Sequence, residues 1–324
     1  MNILVTGGAG FIGSHLIEKL LQQKHRVLCL DNFDPFYDVN IKKGNIKLAL
    51  SSRSGEVRQN PHYTLIKGDI RDQSFLKKIF TRHHFNFIIH LAAKVGVHPS
   101  VKNGAEYLEV NINGTFNLLE QARLHQIKNF IFASSSSVYG ANTKVPFPEK
   151  DITDHPLSPY GASKKAGELL CYTYYQLYKL NIAVLRFFTV YGPRQRPDMA
   201  IHKFTKLIDE DKTISLYAHG KSQRDYTYID DIVQGIVNTI KYHRGFEIYN
   251  LGNSQTTPLI TLVKLLEKYL DKKAKIKKLP PQPGDLPKTW ADITKAKKSL
   301  HFDPKTNIEE GIQKFIQWYK KNKK

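Results

Sequence analysis

Short apolar runs alternate with longer amphipathic segments between residues 1 and 190. Six runs have the length of buried strands, and several of them end at Gly, Asp or Ser: residues 3–5, 26–30, 62–66, 86–90, 129–133 and 182–187. Three longer segments between or beside them are predicted helices, over residues 11–21, 105–124 and 159–180. Because helical crossovers join parallel strands, this alternation predicts an α/β fold with a doubly wound parallel Rossmann sheet.

The pattern changes after Tyr191. A loop rich in Pro and Arg at 192–197 precedes shorter elements, a Pro-rich stretch at 280–287 and another apolar-periodic helix at 308–319. We therefore expect a cofactor-binding domain over residues 1–190, to which a segment near 226–255 returns. Residues 191–324 would form most of a smaller, mixed α/β substrate lobe, without a clean linker between the two.

Composition narrows the class of protein. The chain has 324 residues, of which 41% are hydrophobic and 11% aromatic, enough for a sizeable core. Cys29 and Cys171 are the two cysteines, too few for a disulfide framework or a Cys-rich zinc or iron–sulfur site. No apolar run reaches the ~18 residues of a membrane span, and the first residues lack the basic part of a signal peptide. We expect a cytoplasmic protein with no membrane partner and no bound metal.

The formal net charge is +20. Such a charge favours anionic partners, but the lysines are spread along the chain, with denser runs only at 272–278 and 320–324. No nucleic-acid motif accompanies these runs. A Lys-rich solvated surface therefore explains the charge better, and no nucleic-acid partner is expected.

A glycine-rich turn joins the first predicted strand to the first predicted helix. The segment Thr6-Gly7-Gly8-Ala9-Gly10-Phe11-Ile12-Gly13 has glycine at 7, 10 and 13. Such glycines permit a tight turn, close approach of the backbone to a pyrophosphate, and close packing of helix on strand. The helix N-terminus adds free N–H groups and a positive dipole end. The turn predicts a dinucleotide site.

Acidic residues end the next two strands. Asp31 stands 18 residues after Gly13, where a carboxylate accepts hydrogen bonds from both ribose hydroxyls of an adenosine. Its charge repels a 2′-phosphate, which favours NAD over NADP. Asp69 and Ile70, after the third strand, are candidates to flank the adenine.

A hydroxyl, a phenol and an ammonium group are predicted to act together. Four serines, Ser134 to Ser137, follow the fifth strand, and Tyr160 and Lys164 lie at i and i+4 of a predicted helix. A tyrosine with a pKa of about 10 is a weak base, but a nearby ammonium stabilises its phenolate. The phenolate can then remove an alcohol proton as hydride leaves to a nicotinamide, with Ser135 or Ser136 bonding the same oxygen.

The Tyr-x-x-x-Lys spacing has little weight alone. It begins at six tyrosines, namely Tyr63, Tyr160, Tyr175, Tyr217, Tyr269 and Tyr319. Only Tyr160 opens a helix soon after a serine-ended strand that follows a dinucleotide turn. This context selects Tyr160, and we expect packing or surface roles for the other five.

The chain resembles the extended short-chain dehydrogenases/reductases, the family of nucleotide-sugar epimerases and dehydratases. The similarity runs from Met1 to about Tyr319, through segments at 7–13, 69–70, 90–93, 134–140, 160–164, 185–188 and 224–231. It implies tightly held NAD, a nucleotide-sugar substrate, and a homodimer formed by the helices at 105–124 and 159–180. It implies cofactor contacts from Gly7, Gly10, Phe11, Ile12, Gly13, Asp31, Asn32, Asp69, Ile70, Leu91, Ala92, Ala93, Lys94, Ser134, Tyr160, Lys164 and Phe187.

Subfamily assignment depends on fewer residues. Dehydratases and decarboxylases of this family carry acidic residues after the first hydroxyls of the serine segment, whereas this chain has Ser136-Ser137-Val138. The segments 188–193, 196–199 and 282–285 most resemble UDP-glucuronate 4-epimerases. The resemblance therefore implies epimerisation of UDP-glucuronate to UDP-galacturonate through a transient 4-keto sugar.

The resemblance also implies substrate contacts, from Ser135, Ser136, Thr189, Arg196, Arg224 and Asp285. Arg196 would hold the hexuronate carboxylate, a role that suits a planar guanidinium, with Arg194 as the competing candidate. Arg224 would meet the pyrophosphate, and Asp285 the uridine ribose. The chain departs from the family at His98-Pro99, where Arg-Tyr is common, and these residues would face the sugar.

Other functions stay open at this point. A UDP-galactose or UDP-N-acetylhexosamine 4-epimerase would use the same machinery on a neutral sugar. A dehydratase or decarboxylase, a net dehydrogenase, and a non-catalytic basic binding protein are further alternatives.

Overall fold

The computed structural model describes residues 1–50, 60–282 and 285–323. Residues 283 and 284, within the segment 282–285 that resembles the epimerases, lie outside this description. The strands are β1 (Asn2–Thr6), β2 (Arg26–Asp31), β3 (Tyr63–Lys67), β4 (Phe87–His90), β5 (Asn129–Ser135), β6 (Asn181–Phe187), β7 (Thr189–Tyr191), β8 (Thr213–Leu216), β9 (Gln223–Arg224), β10 (Tyr226–Tyr228), β11 (Phe246–Leu251), β12 (Thr257–Pro258) and β13 (Lys275–Lys278).

Helices connect most of these strands. They are α1 (Phe11–Gln22), α2 (Val39–Leu50), α3 (Gln73–Arg82), α4 (Val97–Lys102), α5 (Gly104–Leu108), α6 (Gly114–Leu124), α7 (Pro159–Tyr178), α8 (Ala200–Asp209), α9 (Ile229–Tyr242), α10 (Leu259–Leu270), α11 (Thr294–Leu300) and α12 (Ile308–Asn322). A π-helical turn at Glu109–Asn113 joins α5 to α6, and 3₁₀ turns form at Ser136–Tyr139 and Tyr217–Gly220.

The central sheet has seven parallel strands in the order β11-β6-β5-β4-β1-β2-β3. Val5 of β1 pairs with Cys29 of β2 on one side and with Ile89 of β4 on the other. The chain winds outward from β1 in both directions, so the carboxyl ends of β1 and β4 meet at the switch point, where such sheets bind ligands. The predicted doubly wound parallel sheet is confirmed.

Strand burial explains the apolar runs. Ile3, Leu4 and Val5 are wholly buried, with Ile3 and Val5 in one core cluster and Leu4 in the other, as the alternation of side chains along a strand requires. Helices cover both faces of a parallel sheet, and its strands therefore carry continuous apolar sequence.

The C-terminal part of the chain is tied to the sheet. β11 lies at the sheet edge beside β6, and α9 packs against α1. Beside the central sheet, the described residues form three two-stranded sheets, β7 with β10, β8 with β13 and β9 with β12. One core cluster extends from Ile3 and Val5 to Phe315 and Ile316 of α12. The central sheet and the C-terminal helix thus share a hydrophobic core.

Most predicted elements differ from the observed ones by one or two residues at their ends. The predicted helix 105–124 is interrupted by the π-helical turn, which holds Asn111. The Asn111 amide accepts from the Lys94 N–H and donates to the Lys94 carbonyl and to Ser163. Within the described residues, no helix has the length and apolar character that a membrane span requires.

Candidate active site

A cavity opens at the carboxyl ends of the central strands. Its volume is about 390 Å³, and residues from the ends of β1, β2, β4, β5 and β6 line it. All the cofactor residues predicted above line this cavity, together with Ser135, Ser136, Thr189 and Arg196. The topology therefore brings residues from positions 7 to 196 of the sequence into one site.

The glycine-rich turn forms the floor of the cavity. Gly7 has a φ of +70°, and a Cβ there would lie 2.7 Å from the Ala92 nitrogen. A Cβ at Gly13 would lie 2.4 Å from the Gly7 carbonyl oxygen. Helix α1 begins at Phe11 with no side-chain cap and no acidic residue in its first turn. Its N–H groups are therefore available to an anion, and the cradle fits a dinucleotide pyrophosphate.

Asp31 ends β2 at the wall of the cavity. Its carboxylate accepts hydrogen bonds from the N–H groups of Ala9 (3.0 Å) and Phe33 (2.8 Å). Lys42 Nζ, also lining the cavity, lies 3.5 Å from the same carboxylate. The sequence interpretation missed Lys42, although its segment follows the strand that carries Asp31.

A set of ion pairs fastens the surrounding loops. Lys94 Nζ lies 2.9 Å from Asp34 and 2.6 Å from Glu106. Asp69 accepts three hydrogen bonds from Arg71, from its backbone N–H, Nε and Nη2, and a fourth from the Asn32 amide. These contacts, led by Arg71, lower the pKa of Asp69 to about 2. The loop after β2 is thereby held against the loop after β4.

Helix α7 carries the predicted base. Ser158 caps the helix by accepting from the Gly161 N–H, and Pro159 occupies its first position, a favourable start for a helix. Tyr160 therefore stands in the first turn, at the cavity. Burial raises the pKa of Tyr160, whereas the Ser135 hydroxyl and the Arg196 guanidinium lower it.

Lys164 lines the same cavity, one helical turn after Tyr160. Lys164 Nζ donates to the Ala133 carbonyl oxygen (2.7 Å) and lies 5.2 Å from the Phe132 ring centre. Burial lowers the pKa of Lys164 to about 7. The influence of Lys164 on Tyr160 stays a prediction.

The serine segment divides into different environments. Ser134 lines the cavity, and its Oγ donates to the buried Glu168 Oε1 (2.5 Å). The Ser135 hydroxyl approaches Tyr160 and accepts from the Ser137 N–H (3.1 Å). Ser136 begins the 3₁₀ turn and lines a second cavity as well as the first. The sequence left Ser135 and Ser136 equivalent. Both line the cavity with Tyr160, and the Ser135 hydroxyl is the one that lowers the pKa of Tyr160.

The two candidate arginines have different surroundings. Arg194 is buried and forms two hydrogen bonds with Glu18 of α1 (2.8 and 2.9 Å), away from the described cavity lining. Arg196 lines the cavity and is held in turn by two hydrogen bonds to Asp198 (2.9 and 2.8 Å). Of the two arginines, Arg196 is therefore the one that lines the cavity.

A second cavity of about 180 Å³ adjoins the first. Ser136, Ser137 and Thr189 line both cavities, while Arg224 and Asp285 line only the second. Arg224 Nη2 lies 3.8 Å, and His98 Nε2 3.4 Å, from Asp285 Oδ1. His98 thus contacts Asp285, which lines the second cavity, and its predicted position against the sugar stays a prediction.

Several lining residues were absent from the sequence interpretation. They are mainly apolar or aromatic side chains without a motif, such as Phe36, Tyr37, Val95, Val97, Val110 and Met199. Their common signal is position, since most follow the carboxyl end of a central strand. Phe36 lies 5.6 Å from the Arg196 guanidinium and so extends the cofactor side towards the predicted carboxylate site.

Comparison with known proteins agrees with this geometry. The sequence profile of the GDP-mannose 4,6 dehydratase family matches residues 4–315. A UDP-glucuronate 4-epimerase of Thermodesulfobacterium geofontis is 43% identical over 320 residues, covering 98% of this chain and 96% of that protein.

Solved structures are similar over the same length. The UDP-glucuronic acid 4-epimerase of Bacillus cereus, in complex with UDP-glucuronic acid and NAD, has 37% identity and a TM-score of 0.88, with 99% of each chain covered. The UDP-glucose 4-epimerase of Thermotoga maritima, with UDP-glucose, has 34% identity and a TM-score of 0.87, with 100% of each covered.

Proposed function

Because this chain belongs to the GDP-mannose 4,6 dehydratase family of extended short-chain dehydrogenases/reductases, we propose that it is an NAD-dependent UDP-glucuronate 4-epimerase. The observation that carries this proposal is the meeting of Tyr160, Ser135 and Arg196 at one cavity that also contains a dinucleotide cradle. No carboxylate occurs at Ser136-Ser137-Val138, so the acid that a dehydratase needs there is missing.

The cofactor residues fit NAD. The Gly7–Gly13 turn and the start of α1 would hold the pyrophosphate, and Asp31 would face the adenosine ribose. When bound, NAD supplies a reversible hydride acceptor for the sugar C4. The Lys94 ion pairs would keep the loops closed over it and exclude water.

Tyr160 provides the proton chemistry. Its phenolate removes the proton of the C4 hydroxyl, and the phenol returns a proton to that oxygen at the end of the reaction. Ser135 bonds the same oxygen and keeps it at the phenol. Between the two hydride transfers, the 4-keto sugar must turn its other face to the nicotinamide. The site must therefore let the sugar ring move while it holds both ends of the substrate.

Arg196 and Arg224 would hold those ends. Arg196 would bind the uronate carboxylate, and Arg224 would meet the diphosphate in the second cavity. A 4-keto uronate is a β-keto acid, which loses carbon dioxide fastest when the carboxylate bond is perpendicular to the ketone plane. Arg196, fixed by Asp198, would hold the carboxylate away from that geometry.

A second copy of the chain would cover one face of the sheet domain. Large apolar side chains are exposed there on α5, α6 and α7: Leu108 46%, Phe116 41%, Leu169 57% and Tyr172 49%. Exposed apolar residues on adjoining helices are typical of subunit interfaces. The proposed assembly is a homodimer joined through these helices, and the proposed location of the enzyme is the cytoplasm.

NMR of the products from UDP-glucuronate tests the function. Purified protein is expected to produce UDP-galacturonate with no net change in NADH absorbance. A pentose product would indicate decarboxylation, and turnover only of UDP-glucose or UDP-N-acetylglucosamine would indicate a neutral-sugar epimerase. Either result would contradict the proposal, as would stoichiometric NADH formation.

A further inference from the structure

One buried ion pair lies beneath the serine segment. Arg186 donates to Glu168 through Nε (2.9 Å) and Nη2 (2.8 Å), and each side chain is only 2% exposed. Glu168 is on α7 and Arg186 is on β6, so the pair joins the helix to the sheet. Neither residue lines the cavity. Burying two charges costs desolvation free energy, and apolar side chains of similar volume often stabilise a core equally well.

The ion pair contacts the chain at both ends of the segment from Ser134 to Tyr139. At one end, Ser134 Oγ donates to Glu168 Oε1 (2.5 Å), and Ser134 pairs with Arg186 across the sheet. At the other end, the Arg186 guanidinium lies 4.8 Å from the ring centre of Tyr139, whose hydroxyl donates to Asn250 (2.7 Å). The residues between these two ends include Ser135, which approaches Tyr160.

The same pair also holds the helix that carries the base. Tyr160, Lys164 and Glu168 follow one another at intervals of four residues, on one face of α7. Glu168 lies eight residues from Tyr160, or about 12 Å along the axis at 1.5 Å per residue. A helix fixed at that point has its rotation and its axial position fixed at Tyr160 too.

We propose that Glu168 and Arg186 are positioning residues that set the Tyr160 hydroxyl against the Ser135 hydroxyl. The ion pair contacts the serine segment through Ser134, and Glu168 is itself part of helix α7. One buried contact therefore fixes the position of the serine segment relative to the helix. The kinetic test of this inference rests on the proposed epimerase function. A second test, the NMR signal of Tyr160, needs no turnover.

The decisive variant replaces both charges, Glu168→Leu with Arg186→Met, which leaves no unpaired buried charge. With UDP-glucuronate, kcat is expected to fall at least about tenfold, because small displacements at a reacting centre are costly. KM and the NAD content of the purified enzyme should stay within about twofold of wild type. The acid limb of the kcat–pH profile should move to higher pH, because a displaced Ser135 no longer lowers the pKa of Tyr160.

Ser134→Ala is the second variant. It removes the hydroxyl that ties β5 to Glu168, so it is expected to fold even where the double variant does not. It should lower kcat and shift the profile in the same direction, by a smaller amount. Because Ser134 also lines the cofactor cavity, the NAD content of this variant is measured beside kcat. Glu18→Gln is the matched control, since it weakens the ion pair of another buried arginine, Arg194, whose partner Glu18 is partly exposed and lies away from the serine segment. The control should leave kcat and the profile unchanged.

NMR of protein labelled with [¹³Cζ]tyrosine separates this inference from the function. The Tyr160 signal, assigned by its loss in Tyr160→Phe, should shift in Ser134→Ala and in the double variant but not in Glu18→Gln. An unshifted signal, or a folded double variant with wild-type kcat and pH profile, would overturn the positioning role. A shifted signal in a protein that leaves UDP-glucuronate unchanged would support positioning and contradict the proposed function.

Discussion

The two halves of the site are built in different ways. The cofactor half is made largely of backbone at strand ends, with glycine at 7 and 13 where a Cβ would meet other backbone atoms at 2.7 Å or less. The substrate half is made of side chains from distant loops, namely Arg196, Arg224 and Asp285. A backbone cradle tolerates almost no change, whereas side chains on loops can be exchanged to alter specificity.

Gly13→Val should reduce activity the most, because it disrupts the backbone cradle of the cofactor half. The added Cβ would lie 2.4 Å from the Gly7 carbonyl oxygen, which is backbone and has little freedom to move. We expect protein without NAD and without measurable epimerase activity, checked by cofactor extraction and a product assay.

Gly44→Ala is the matched control for this substitution. Gly44 lies in α2, and a Cβ there meets nothing within 4 Å. The change should leave activity intact and stabilise the helix by up to about 1 kcal/mol. Retained NAD in Gly13→Val would show that the cradle is not the cofactor site.

Tyr160→Phe should have the next largest effect, at the junction of the two halves. Loss of the base is expected to lower kcat about 10²- to 10⁴-fold while bound NAD is kept. Tyr175→Phe is the control, since Tyr175 lies on the same helix and has the same spacing to a lysine, Lys179, which follows the last helical residue. Equal losses in both variants would remove the assignment of Tyr160 as base.

Arg196→Gln tests the side-chain half. Loss of a charged hydrogen-bond partner of the uronate should reduce kcat/KM for UDP-glucuronate about 10- to 100-fold, or about 1.5–3 kcal/mol. Any turnover of UDP-glucose, which lacks the carboxylate, should be affected much less and provides the internal control. An equal loss on both sugars would mean that Arg196 supports the site without reading the carboxylate.

The smallest effect is on pH dependence. The active form of Tyr160 is the phenolate, so kcat should rise with pH through the pKa of Tyr160. Arg196 lowers that pKa, and Arg196→Gln should therefore move the acid limb to higher pH, by about one unit or less. Movement to lower pH would show that another group limits the rate.

The sequence predicted the backbone half well, because its signals are local. The alternation of strands and helices gave the sheet, and glycines at fixed spacing after β1 gave the cradle at Gly7 and Gly13. The position of Asp31 at a strand end placed it at the cavity for the same reason.

The side-chain half was harder, because its contacts cross the fold. The two arginines differ in their partners, since Arg194 is paired with Glu18 of α1 and Arg196 with Asp198, and the sequence does not show which pairs form. The four-residue spacing placed Lys164 beside Tyr160 at the cavity, but it did not indicate the hydrogen bond from Lys164 Nζ to the Ala133 carbonyl oxygen. The pairing of His98 with Asp285 joins residues 187 positions apart, a distance that periodicity does not report.

In the proposed reaction, C4 of the sugar is oxidised and reduced again within one closed site. The most direct test is to follow deuterium placed at C4 of UDP-glucuronate. The UDP-galacturonate formed in ordinary water is expected to keep its deuterium at C4, because the hydrogen removed from that carbon is returned to it on the opposite face. NMR of the product measures this retention. Product formed with hydrogen from the solvent at C4 would contradict the account.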